Sequence, residues 1–70
     1  MNINKAVDKA YEGKPLKELL DAPVAALQGI SDAKGKMLED ALNIKTIGDL
    51  ASCKYFLWAR SIQILSAAEE

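Results

Sequence analysis

The sequence predicts an all-α fold, a compact bundle of five or six short helices, on three observations. Pro15, Pro23, Gly13, Gly29, Gly35 and Gly48 cut the chain into short segments. Between the cuts, apolar residues recur at spacings of three and four rather than two, which is the period of a helix face and not of a strand. Residues that open helices stand at the starts of those segments: Pro15, Pro23, Ser31 and Thr46.

Taken in order, the first helix is expected from about Asn4 to Glu12. Val7, Ala10 and Tyr11 share one side, and Gly13 supplies a left-handed cap. Pro15 then opens a short helix carrying Leu16, Leu19 and Leu20, and Pro23 opens another carrying Val24 and Leu27 that stops at Gly29. Ser31 is the N-cap of a longer helix reaching about Leu42. Its Ala33, Met37, Leu38, Ala41 and Leu42 fall within one half of the helical wheel, the face expected to be buried. Asn43 is a natural left-handed stop. Thr46 followed by Asp49 reads as a capping box with the shorter acid, opening a brief helix with Ile47, Leu50 and Ala51 inward. The last helix is placed at roughly Lys54 to Ala68, with Glu69 and Glu70 at its negative dipole end, where fraying is expected.

Length and composition bound what such a fold can do. The chain has 70 residues, of which 50% are hydrophobic, but only four are aromatic. Eleven are alanine, so the core must be thin and built mainly of Leu and Ile. A core of that size supports one domain over residues 1–70 and no independent subdomains. The net charge of −1 and pI near 5.3 lack the basic footprint of a dedicated nucleic-acid binder. There is no histidine and a single cysteine, Cys53, so no set of soft ligands exists for zinc and no internal disulfide can form. Cys53 is expected to be a small buried filler. The polar start of the chain does not read as a secretory signal, and no apolar run approaches the length of a membrane span. A soluble cytoplasmic domain without metal or cofactor is the expectation. No base accompanies Cys53 or any serine, and the acids are spread over polar faces, so the domain reads as non-catalytic.

An internal echo runs through the chain. A shift of 31 residues lays Ala10–Leu20 over Ala41–Ala51, with Ala10/Ala41, Lys14/Lys45 and Leu19/Leu50 identical and Leu16/Ile47 and Glu18/Asp49 similar. This suggests a pseudo-duplication with units of about 4–30 and 32–68. The competing reading is that any two capped amphipathic helices align this well.

Leu27-Gln28-Gly29-Ile30-Ser31-Asp32-Ala33-Lys34-Gly35-Lys36-Met37-Leu38, with Ile44-Lys45-Thr46-Ile47-Gly48-Asp49-Leu50-Ala51 after it, is the most specific stretch. It resembles a helix-hairpin-helix, an element of SAM-like architecture. Gly29, Ile30, Gly35 and Leu38 match the family's turn glycine, its aliphatic, the small residue that lets the helices approach, and the leucine that follows. The stretch is similar to the acidic repeats of the transcription factor NusA and to the N-terminal domains of RecA-like recombinases, over about residues 22–52. The resemblance implies two helices joined at a tight corner that holds either protein or a nucleic-acid backbone. For a nucleic-acid backbone the candidates are Gly29, Ile30, Ser31, Lys34, Gly35 and Lys36, around the free amides of a helix N-terminus. Serine in place of the second glycine caps its own helix and occupies part of those amides, and two or three lysines make few phosphate contacts. Protein contact is therefore the first expectation and nucleic acid the second.

The last helix stands out. Tyr55, Trp58, Ala59, Ile62 and Leu65 form one apolar stripe, expected to face the core, while Leu57, Ile64 and Ala68 form a second nearly opposite, with Phe56 on its flank. A helix apolar nearly all round is covered on both sides. The cover is either the first helix folding back or another chain; the third reading is that the outer residues are apolar side chains scattered on the surface. For the second case the contact residues are Phe56, Leu57 and Ile64, and the partner is another protein or a second copy of this chain.

Overall fold

The computed structural model describes residues 1–69; Glu70 lies outside the described residues. Four α-helices carry the fold: α1 (Leu16–Asp21), α2 (Asp32–Leu42), α3 (Ile47–Ala51) and α4 (Lys54–Ser66). Three single-turn 3-10 segments stand beside them, at Ile3–Lys5, Lys9–Tyr11 and Val24–Ala26. The class is all-helical as expected, with no strand among the described residues, but the regular helices are four rather than five or six.

The helix expected from Pro23 to Gly29 is only the 3-10 turn Val24–Ala26, with Leu27 extended and paired to Val7, but the start and stop signals of α2 and α3 act where the sequence places them. Ser31 Oγ accepts the Lys34 amide at 3.1 Å and opens α2. Asn43 ends it in the left-handed region at φ 57°, its amide returning to the Glu39 and Leu38 carbonyls. The capping box of α3 is reciprocal: Thr46 Oγ1 accepts the Asp49 amide at 3.0 Å, and Asp49 Oδ2 accepts the Thr46 amide at 3.1 Å. Gly13 and Gly29 take positive φ, 78° and 92°, as their turns require.

The first segment departs from expectation. In place of one helix over Asn4–Glu12 there are two 3-10 turns, separated at Val7, which is extended and pairs with Leu27. The Asp8 amide donates to the Ala26 carbonyl and the Gln28 amide to the Ala6 carbonyl, each at 2.8 Å. A β-branched residue loses little by leaving a helix, and here its neighbours Ala6 and Asp8 gain hydrogen bonds to a distant segment while Val7 itself is almost fully buried. Asn4 then closes the N-terminal loop by accepting the Gly13 amide at 2.9 Å.

The core is small: Val7, Leu19, Ala22, Val24, Ala26 and Ile44. It lies where α1 packs on α3 and where the Val24–Ala26 turn packs on α2 and α3. Two hydrogen bonds of 3.0 Å, Val24 N–H to Lys45 C=O and Ile47 N–H to Ala22 C=O, tie these layers together. Two close approaches set the layer spacing. A Cβ on Gly48 would sit 3.0 Å from the Leu20 carbonyl oxygen, and one on Gly35 would sit 3.3 Å from the Ala25 Cβ. The buried face of α2 accordingly centres on Gly35 and Leu38 rather than on Ala33, Met37 and Ala41, which are exposed. Glycine adds no hydropathy to a wheel, so the apolar pattern points about 100° away from the face that packs.

The segments related by the 31-residue shift include α1 and α3, which start at equivalent positions, Leu16 and Ile47, and pack on each other. Their flanks differ. Two 3-10 turns precede α1 where α2 precedes α3, and a 3-10 turn follows α1 where α4 follows α3.

Candidate functional site

The α4 helix is the one long element without a cover. It leaves α3 through Ser52 and Cys53, and Cys53 C=O accepts the Leu57 amide at 3.1 Å to start it. Cys53 is half-buried at this junction, less enclosed than expected for a core filler. The helix packs on the body chiefly through α3, and of its residues only Ser61 is as much as half-buried. At 1.5 Å per residue its 13 residues reach about 20 Å.

The expected core stripe of this helix is not in the core. Tyr55, Phe56, Leu57, Trp58, Ile62, Ile64 and Leu65 are each between 54% and 70% exposed, on both stripes alike. The N-terminal segment does not fold back over them, because its extended residues are spent on the pairing of Val7 with Leu27. At roughly 100 Å² each, these seven side chains present about 700 Å² of apolar surface, close to the ~800 Å² each partner contributes to a standard protein interface.

Polar groups on α4 are few and mostly satisfied within the helix. Arg60 Nη1 donates to Gln63 Oε1 at 2.7 Å, and Ser66 Oγ donates to the Gln63 carbonyl at 2.7 Å. Tyr55 and Trp58 meet edge to face with ring centroids 5.9 Å apart, and Lys54 Nζ lies 5.2 Å and 5.7 Å from the two ring centres. A tryptophan, two further aromatics and an arginine on one exposed helix are the residue types that anchor protein interfaces.

The corner between the Val24–Ala26 turn and α2 holds Gly29, Ile30, Ser31, Lys34, Gly35 and Lys36, but their groups are largely engaged. Ser31 takes the Lys34 amide, and Lys34 Nζ donates to the Gly29 carbonyl at 3.2 Å. Lys36 Nζ pairs with Asp40 at 3.2 Å, and that carboxylate raises the lysine's pKa. Ile30 is half-buried under the turn and Gly35 is buried against Ala25. The corner is a packed joint with little free charge at its tip.

A second apolar feature lies on the body and was not singled out by the sequence. An open groove of about 330 Å³ runs between the N-terminal turns, α1 and the start of α3, lined by Ile3, Val7, Leu16, Leu20, Leu27 and Ile47 among others. Leu16 and Leu20 stand one helical turn apart on α1 and are 64% and 48% exposed. The signal that could have found it is the excess of leucine on α1: three leucines over six residues, of which the thin core buries one, Leu19.

Among the described residues no helix is long and apolar enough to cross a membrane. Compared with protein-family models, curated proteins and solved structures, the chain gave no match.

Proposed function

We propose that this chain is a non-catalytic helical interaction module that binds protein through α4. The observation that carries the reading is the exposure of both apolar stripes along one helix. A solvated helix of this kind costs free energy in water, and covering about 700 Å² of it supplies a driving force for association. Phe56, Leu57 and Ile64 remain contact residues, and Tyr55, Trp58, Ile62 and Leu65 join them from the stripe that the core leaves uncovered.

The helix-hairpin-helix reading of the middle of the chain is supported by the positive φ of Gly29, the Ser31 cap and the close approach of Gly35 to Ala25. In this reading the corner is the joint that fixes the body from which α4 projects. The engagement of Lys34 and Lys36 is why protein contact stands ahead of nucleic-acid backbone.

The test is the double substitution Leu57→Asp plus Ile64→Asp. It should leave the helical circular dichroism and the unfolding midpoint of the dilute protein nearly unchanged while abolishing association. Global unfolding of the variant would place the stripe in the core and overturn the reading. A titration with duplex DNA provides the other arm: salt-sensitive amide shifts confined to Gly29–Lys36, with no effect of the α4 substitutions, would transfer the function to the corner.

A further inference from the structure

We infer that the partner is a second copy of this chain, joined by reciprocal exchange, with α4 of each protomer seated in the Leu16–Leu20 groove of the other. The inference rests on the reading of α4 as a contact helix and names its occupant.

Three observations converge on a second copy. First, the chain carries both halves of one contact: an apolar helix without a cover, and an apolar groove without an occupant whose exposed rim is Ile3, Leu16 and Leu20. Second, α4 has two uncovered arcs, and a partner docking on one side would leave the other in water. Two-fold exchange covers both. The Ile62–Leu65 arc enters the partner's groove, and the Leu57–Ile64 arc runs against the partner's α4 across the axis, the self-complementary arrangement that a two-fold dimer requires. Third, the area suffices, with Lys17 the one charged side chain in the groove's lining. The groove residues add to the ~700 Å² of α4, so each protomer reaches the area of a stable interface.

The short Ser52–Cys53 junction suits this arrangement, since α4 already leaves the body there and needs no unfolding to reach another chain.

The experiment is complementation, read by sedimentation equilibrium with one chain carrying a mass tag. A helix variant, Ile62→Asp plus Leu65→Asp, and a groove variant, Leu16→Asp plus Leu20→Asp, change residues that are exposed in the single chain. The wild-type protein is expected to be a dimer, and each variant alone should associate at least tenfold more weakly. Mixed one to one, they should form a heterodimer tighter than either homodimer, because the groove variant's intact helix enters the helix variant's intact groove. A groove variant that dimerises as tightly as wild type would overturn the exchange in favour of simple α4 pairing. A wild-type chain that stays monomeric up to millimolar concentration would overturn the second copy as partner while leaving α4 free for a different protein. A helix variant that dimerises like wild type would overturn this inference and the reading of α4 together. If the groove variant fails to fold, mixed-isotope wild-type protein gives the same answer: intermolecular contacts between methyl groups of Leu16 or Leu20 and those of Ile62 or Leu65 are expected, and their absence in a dimer contradicts the exchange.

Discussion

The body over residues 1–53 and the helix that follows use the same kinds of apolar residue to opposite ends. In the body, Val7, Val24 and Ile44 are at most 4% exposed, each held by cross-chain hydrogen bonds or packed layers. On α4, Ile62 and Leu65 stand 69% and 70% exposed, held only by their own helix. The difference teaches that composition does not decide burial in a domain this small. A thin core closes around six residues, and a helix as apolar as α4 is left over as surface, which in the proposed reading serves association rather than folding.

Paired truncations give the largest expected separation of the two regions. Ile44→Ala should cost about 2–4 kcal/mol in chemical denaturation, the usual loss for a fully buried isoleucine. Ile64→Ala should fall within about 0.5 kcal/mol in dilute protein, as a surface change does, while weakening association. Equal costs in dilute protein would erase the distinction.

Gly48→Ala sharpens the picture of how the body is held. The added methyl would meet the backbone oxygen of Leu20 at 3.0 Å, and backbone cannot swing aside, so α1 and α3 must separate. A loss of about 1–3 kcal/mol is expected from overpacking, against the usual gain for replacing glycine in a helix. A stabilised Gly48→Ala would show that the α1–α3 spacing is loose.

Removal of the cap at Thr46→Ala should cost about 1 kcal/mol, again in the body alone. Its partner Asp49 has a pKa held below the ordinary carboxylate value, first by the Lys45 and then by the Thr46 amide hydrogen bond. A depressed folded pKa means that this contribution is present above the unfolded value near 3.9 and is lost as pH falls through the lower folded value. Amide shifts of Lys45 and Thr46 followed through that acid range should titrate together. The smallest effect belongs to Lys36→Met, which removes an exposed pair with Asp40 one turn along α2 and should move the unfolding midpoint hardly at all.

What the sequence disclosed follows from range. Caps and stops at Ser31, Asn43 and Thr46–Asp49 depend on neighbours within four residues, so they were legible, as were the helices that begin after Pro15 and Ser31. The N-terminal segment misled because the pairing of Val7 with Leu27 spans twenty residues and outweighs a helix pattern of nine. The face of α2 misled because its closest contact is made by Gly35, which carries no apolar signal. For α4 the wheel identified Phe56, Leu57 and Ile64 as outward candidates, but a wheel says which residues share a face and not which face is covered. The Leu16–Leu20 groove is tertiary, assembled from four stretches of chain, and no local pattern announces it.

Trp58, the chain's single tryptophan, tests the central claim most directly because it sits on the stripe in question. Its emission should be that of a solvated indole at nanomolar concentration and shift to the blue as concentration rises and α4 becomes covered. A blue-shifted emission that does not change on dilution, in protein shown to be monomeric, would place α4 within the body's own core and contradict the account.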